Sequence, residues 1–184
     1  MTVSVPYSAA AAVVTFWHEA GPARWFAKDA AFDADFAGRF LDLHMAAARG
    51  EHEAWLASPD GALALMILLD QFPRNAFRGT GHMFATDGLA LAYAHRAIDA
   101  GHDRQVDAAL QQFFYLPLEH AEDLAQQDRS VALARRLDAE FLKWAVLHQD
   151  VIRRFGRFPH RNALLGRQTT ADEQAFLDGG GFAG

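Results

Sequence analysis

The chain has 184 residues, of which 51% are hydrophobic and 22% charged, a composition typical of one globular domain and not of a disordered segment. Its 23 acidic and 17 basic side chains give a formal net charge of -6, which argues against general nucleic-acid binding. The sequence contains no cysteine, which excludes disulfides, cysteine-type zinc sites and thiol catalysis.

Helical patterns fill the first half of the chain, and no segment alternates in the manner of a half-buried strand. A first helix is predicted from Ser8 to Ala20, and phenylalanines at helical spacing predict a second helix that ends at Gly50. Ser58-Pro59 is a helix start. The helix that it opens is apolar all round through Ala62–Leu69 and is predicted to end at Pro73, so we expect it at the centre of the fold.

The second half of the chain continues the same pattern, with caps at most boundaries. Helices are predicted from Thr86 to Gly101, from Asp103 to Phe114, from Pro117 through Gln126, from about Ser130 to Phe155, and after the capping box Thr170–Glu173. We therefore expect an all-α protein of about eight helices, with one domain over residues 1–184, an ordered core at 8–178 and a loose tail at 179–184.

Two sequence features bear on the location of the protein. The alanine-rich N-terminus has no Lys or Arg before it, unlike the charged start of a signal peptide. The longest apolar run, Ala62–Leu69, is far too short to span a bilayer. We expect a cytoplasmic protein that binds neither membranes nor nucleic acid.

Two similar motifs, one in each half of the chain, are the most specific local feature. The first box is Phe72–Ala76, preceded by Asp70-Gln71, and the second box is Phe158–Ala163, preceded by Arg157. Each combines a phenylalanine ring, a proline helix stop, an arginine and an asparagine. A weak internal duplication is one interpretation, and chance recurrence of a Phe-Pro helix stop is the other.

Long strings shared across the chain resemble a known bacterial family, catalogued as domain of unknown function 924. The strings are Phe16-Trp17, Trp25-Phe26, Leu69–Asn75, Phe77–Gly79, Leu116–His120, Glu122-Asp123, Arg154–Asn162 and Leu165–Arg167. The resemblance implies an all-helical fold with a tetratricopeptide-like, right-handed superhelical array. It implies no activity.

The strongest candidate for chemistry is the segment Glu119–Asp123, just after Pro117. On one helix Glu119 and Asp123 would share a face, and His120 would lie near Asp123. Carboxylates beside an imidazole can run acid–base chemistry or bind an ion. The structural alternative is that these acids cap a helix and form salt bridges.

The second candidate is an arginine-rich stretch from residue 153 to residue 167, which contains no acid. Arg157, His160, Arg161 and Asn162 belong to it, and arginine forks bind carboxylates or phosphates in a bidentate manner. The ligand implied is a small anion or a peptide. The alternative is that these arginines form an ion-pair lock with the Glu119–Asp123 segment.

Asp70 closes the apolar run that ends at Leu69, where a carboxylate is buried only when it is paired. We predict a structural ion pair with Arg74. A carboxylate that lines a cleft is the other interpretation of Asp70.

The nine histidines form no recognised metal motif, and neither a phosphate loop nor a dinucleotide-binding glycine motif is present. We expect no metal and no cofactor, although His120, His148 and His160 lie in or near the motif segments.

Two functions of different classes fit this pattern. The first is a ligand- or peptide-binding module with a polar Arg/His/Glu depression. The second is a small hydrolase- or transferase-like enzyme, with Glu119, His120 or His160 as acid–base and Arg161 as anion clamp.

Overall fold

A computed structural model describes residues 5–182. Every regular element in that range is helical and none is a strand, which confirms the all-α prediction. The tetratricopeptide-like superhelical order stays a prediction. The helices are α1 Val5–Ala20, α2 Pro22–Trp25, α3 Ala30–Ala48, α4 Pro59–Met66, α5 Phe72–Ala76, α6 Asp87–Asp99, α7 Leu116–Glu119, α8 Leu124–Ala134, α9 Ala139–Phe155 and α10 Ala171–Asp178.

The chain divides into two compact units. The first unit comprises Met1–Arg78 and His82–Pro117, and the second comprises Gly79–Gly81 and Leu118–Gly184. The single domain predicted for residues 1–184 stays a prediction.

Helix α4 forms the centre of the first unit. All side chains from Ala62 to Leu69 have an exposed fraction of 0%, and α4 packs against α1 and α6. Ser58 caps the helix by accepting from the backbone N–H of Gly61 at 3.2 Å. The apolar run therefore lies where its all-round hydrophobicity predicts.

The helix does not end at Pro73, contrary to the sequence prediction. It widens into a π turn at Ile67–Gln71, where the N–H of Phe72 bonds five residues back, to the carbonyl of Ile67. Pro73 then lies in the first turn of α5, a position that needs no N–H from it.

Two side chains bond the carbonyls of the residues that lie four and five positions before the proline. The carbonyl of Leu68 accepts from His44 Nδ1 at 2.8 Å, and the carbonyl of Leu69 accepts from the Thr86 hydroxyl at 2.5 Å. The wide turn and these two donors explain why the chain stays helical across Pro73.

Helices α8, α9 and α10 build the second unit, with α8 packed on α9. The predicted helix from Ser130 to Phe155 is broken, because Asp138 starts a new helix by accepting from the N–H of Phe141 at 2.8 Å. Gly156, at φ +69°, ends α9. The second box follows as a single 3₁₀ turn, Pro159–Arg161.

Two further helix predictions were wrong. Residues 103–114 form separate 3₁₀ turns rather than one helix, with the Asp107 side chain bonding the N–H of Ala109 at 2.8 Å in a local turn. The helix opened by Pro117 ends at Glu119, and Asp123 instead caps α8 by accepting from the N–H of Gln126 at 3.0 Å.

Two remaining predictions concern membrane spans and the C-terminal tail. No helix within residues 5–182 is long and apolar enough to cross a membrane. Gly179, Gly180 and Gly181, expected to belong to a loose tail, donate backbone hydrogen bonds to carbonyls at the end of α10. Residues 183 and 184 lie outside the described range.

Candidate functional site

Aromatic and imidazole rings gather around the second box, inside the second unit. The Phe158 ring is fully buried, and its centroid lies 5.6 Å from that of His148 and 5.7 Å from that of His160. His120 lies 6.2 Å from His148, measured between ring centroids. We call Phe158, His120, His148 and His160 the histidine cluster.

A buried carboxylate contacts this cluster. Glu119 is 2% exposed, and its Oε1 lies 3.0 Å from Nδ1 of His148. The same Nδ1 lies 2.8 Å from the carbonyl oxygen of Trp144. Because both neighbours are acceptors, Nδ1 carries the hydrogen. The other oxygen of Glu119, Oε2, is buried and has no hydrogen-bond partner among the described residues.

His160 also contacts the Phe158 ring and is partly buried. Burial, followed by the charges of Arg161 and His148, lowers the pKa of His160 to about 4. The imidazole is therefore neutral near pH 7. Its Nδ1 is buried and meets no hydrogen-bond partner in the described range.

The arginines of the second box are largely engaged within the chain. Arg161 is 6% exposed, and its guanidinium carbon lies 4.4 Å from the centroid of the Phe158 ring. Arg167 contacts both oxygens of Glu122 at 2.8 Å. Burial opposes the charge of Glu122, but Arg167 and the N–H of Phe158 outweigh it and lower the pKa of that carboxyl.

Arg157 and Asn162 turn toward α10 instead of toward the histidine cluster. Arg157 contacts the two oxygens of Glu173 at 2.6 and 2.8 Å. Asn162 Nδ2 lies 3.2 Å from the same carboxylate, which also accepts from the N–H of Thr170 at 2.8 Å. This Glu173 cluster ties the second box to the start of α10, as an ion-pair lock does.

The structure thus splits the predicted site in two. Glu119, His120, His160 and Arg161 all lie at or beside the histidine cluster. Arg157 and Asn162 belong to the Glu173 cluster, and Asp123 is an exposed N-cap. No group of three or more His, Asp or Glu side chains within residues 5–182 has an arrangement that could hold a metal ion.

A family model agrees with the strings that the sequence displays. The model of the bacterial proteins of unknown function designated DUF924 matches residues 13–181. The chain belongs to this family. A solved structure of a protein of unknown function from Agrobacterium tumefaciens is similar to this DUF924 chain at 53% identity, with a TM-score of 0.92, and the match covers 94% of this chain and 98% of that one. No curated protein matches the chain.

Two residues beside the predicted site of this DUF924 chain, His148 and Glu122, had no role assigned to them from the sequence. His148 lies on the buried face of α9 with Phe141, Ala145 and Ile152, so a histidine within an apolar helical stripe was the available signal. Glu122 was part of the predicted acidic segment, but its pairing with Arg167 depends on the loop after the second box.

The predicted ion pair joins Asp70, which precedes the first box, to Arg74 within it. Asp70 is 1% exposed, and its Oδ1 lies 3.2 Å from Nη1 of Arg74. Arg74 also contacts both oxygens of Asp87, at 2.9 and 3.1 Å. Gln71 Nε2 donates to Asp70 Oδ2 at 2.6 Å. These contacts lie within the first unit, and the structural role predicted for the pair stays a prediction.

The Glu173 cluster makes stability depend on pH. Arg157 and the N–H of Thr170 lower the pKa of Glu173 to about 2. Because this value lies below that of an unfolded glutamate, about 4.3, the stabilisation is complete above that pH and is lost as the pH falls toward 2. We expect the free energy of unfolding of Glu173→Gln to fall less steeply than that of wild type between about pH 5 and pH 2.

Chemical denaturation across that pH range measures the difference. Glu140→Gln is the matched control, because Glu140 is an exposed glutamate of the same unit. Equal slopes for Glu173→Gln and wild type would contradict the prediction.

Proposed function

We propose that this protein is a binding module whose site is the histidine cluster with Glu119. The observation that supports the proposal is hydrogen-bonding capacity that the described chain leaves unused. Oε2 of Glu119 and Nδ1 of His160 are both buried without a partner. A buried polar group whose hydrogen bond is left unmade costs about 1–3 kcal/mol. A ligand that bonds them recovers that free energy.

The chemistry of these atoms selects the ligand class. A carboxylate oxygen without a proton only accepts hydrogen bonds, whereas a neutral imidazole nitrogen can accept or donate according to its tautomer. A peptide group or a primary amide offers both an N–H and a C=O. Arg157 and Arg167 already bind carboxylates of this chain. We therefore favour a peptide over the small anion that the arginine-rich stretch suggests.

Three probes with one ring and different polar groups test this choice. Benzamide donates and accepts, benzamidine only donates, and benzoate only accepts and is anionic. We expect benzamide and benzamidine to shift the ring NMR signals of His148 and His160, with benzoate at least tenfold weaker. The affinity for benzamidine should fall about tenfold in Glu119→Gln and stay unchanged in Glu140→Gln. Preferential binding of benzoate would favour an anion site, and no shift with any probe would refute the module.

Alanine variants of the second box separate binding from structure. We expect His160→Ala to unfold at a temperature near that of wild type and to lose benzamide binding, because His160 Nδ1 makes no bond in the described chain. Asn162→Ala should instead lower stability by about 1–3 kcal/mol, because Asn162 bonds Glu173. Thermal unfolding and NMR titration measure both effects. The reverse assignment of the two variants would contradict the proposed site.

One contact favours an enzyme as the second candidate. Glu119 and the Trp144 carbonyl hold Nδ1–H of His148, and in neutral imidazole this leaves Nε2 with the lone pair of a general base. Arg161 would then hold an anionic group of the substrate. Hydrolysis of p-nitrophenyl acetate and p-nitrophenyl phosphate tests this candidate. Turnover should fall at least tenfold in His148→Gln, and a rate equal to the uncatalysed background in wild type would count against it.

A further inference from the structure

The segment after α10 returns to the histidine cluster. The Phe182 ring centroid lies 4.4 Å from that of His148, 5.3 Å from that of His160 and 6.3 Å from that of Phe158. The planes of the two imidazoles meet the Phe182 ring at 63° and 82°. These edge-on angles suit the attraction between the positive edge of one ring and the negative face of another.

Glycines make this return possible. Gly180 has φ +75°, in the left-handed region that favours glycine. A Cβ on Gly181 would lie 2.5 Å from the Phe176 carbonyl oxygen and 2.6 Å from its ring, so a side chain there would force the tail away. The N–H of Gly181 bonds that same carbonyl at 2.9 Å. The sharp turn thus fixes Phe182 near the end of α10.

The position of Phe182 suggests what the site takes. We propose that Phe182 occupies the aromatic subsite of the ligand site, so that the ligand is a peptide segment with an aromatic side chain and the tail is its intramolecular competitor. This inference rests on the proposed function for the location of the site. The contacts of Phe182 with His148 and His160 add the aromatic component, which the buried polar atoms alone do not specify.

A short tether makes such competition effective. Even a flexible connection of a few residues gives a local concentration in the millimolar range, and the turn at Gly180 and Gly181 restricts the tail further. An external peptide binds only those molecules in which Phe182 has left the aromatic subsite. Its apparent affinity is therefore reduced in proportion to the fraction of molecules in that open state. Removal of the Phe182 ring should therefore strengthen binding of an external aromatic peptide without adding any contact.

The tail sequence supplies the probe. Acetyl-Gly-Gly-Phe-amide is titrated into wild type and Phe182→Ala, with acetyl-Gly-Gly-Ala-amide as the control peptide, and the ring NMR signals of His148 and His160 are followed. We expect the phenylalanine peptide to bind Phe182→Ala at least fivefold more tightly than wild type, and the alanine peptide to bind neither. Equal affinity of the phenylalanine peptide for both proteins would overturn the proposal, as would equal binding of the two peptides.

Further controls keep the outcome unambiguous. Phe26→Ala removes a ring that is 62% exposed and belongs to the first unit, so its peptide affinity should match that of wild type. Phe182→Leu keeps apolar volume without an aromatic ring and should give an intermediate affinity, even if Phe182→Ala folds poorly. If the wild-type protein is a dimer and Phe182→Ala is a monomer, the tail of a second copy fills the aromatic subsite. That result would overturn the proposal that the tail competes within its own chain.

The two proposals fail in different ways. If Glu119→Gln leaves benzamidine binding unchanged while Phe182→Ala strengthens peptide binding, the aromatic subsite stands without the acceptor site. If benzamidine binding depends on Glu119 but Phe182→Ala has no effect on the peptide, only the tail inference is lost.

Discussion

Arg74→Ala is expected to destabilise the protein more than Asp70→Ala, although each removes one side of the same ion pair. Removal of Arg74 takes the same cation from two carboxylates, because Arg74 bonds both Asp70 and Asp87. Removal of Asp70 leaves Arg74 with Asp87. Breaking a buried pair from one side costs about 3–5 kcal/mol, so we expect about 5 kcal/mol for Arg74→Ala and about 3 kcal/mol for Asp70→Ala.

Thermal and chemical unfolding of the two variants measure this order. Burial opposes the charge of Arg74, but Asp70 and Asp87 overcome it and raise the pKa of its guanidinium, so the cation is held throughout the accessible pH range. Asp35→Ala is the control, because the Asp35–Arg39 pair is largely exposed and such pairs contribute little. A larger loss for Asp70→Ala than for Arg74→Ala would show that the Gln71–Asp70 bond dominates instead.

Phe158→Ala is expected to cost about 3–5 kcal/mol, the usual loss for a buried phenylalanine. The Phe158 ring is 0% exposed and packs with Val151 and Ile152 in the core of the second unit. The same substitution removes the ring that contacts both His148 and His160. We therefore expect it to abolish benzamide binding as well as to lower the midpoint of unfolding.

Two variants separate these consequences. Phe158→Leu keeps most of the apolar volume and should recover more than half of the lost stability, without restoring the ring contacts with His148 and His160. Phe26→Ala removes an exposed ring and should change stability by no more than about 0.5 kcal/mol. A stability of Phe158→Ala close to that of Phe26→Ala would mean that the second unit has no core at this position.

The spacing of apolar residues predicted the helices that bury a continuous apolar stripe. It failed at boundaries where a single capping side chain ends one helix and starts another. The capping box at Thr170 is present as predicted, because both of its bonds are local. The break before α9 depends on Asp138, whose capping competes with an uninterrupted apolar pattern across residues 130–155. The sequence prediction extends α7 past Glu119, because a spacing of four residues places Asp123 on the same helix face as Glu119. In the structure Asp123 instead caps α8.

In the candidate site, too, residues in local sequence motifs were predicted, whereas contacts between residues distant in the sequence were not. Glu119, His120 and His160 were identified because they occur in unusual strings. The partner of Glu119 is His148, which is far from it along the chain and lies within an apolar stripe. Arg157 and Arg161 are close in sequence, yet one binds Glu173 and the other lies over Phe158. Sequence spacing does not reveal which way each guanidinium turns.

The π turn at Ile67–Gln71 has a consequence for the register of the chain. A turn that closes five residues back holds one residue more than an α turn, so it acts as a one-residue insertion within a continuous helix. Each residue of an α-helix advances by about 100°. Because the wide turn absorbs the extra residue, deleting one residue from it would restore a regular α turn and leave Phe72 on the same face, whereas deleting a residue from α4 would rotate Phe72 by roughly that angle. A deletion in α4 would take Phe72 away from its contacts with Phe36 and His44, so the chain tolerates the loss of one residue better within the π turn than within α4.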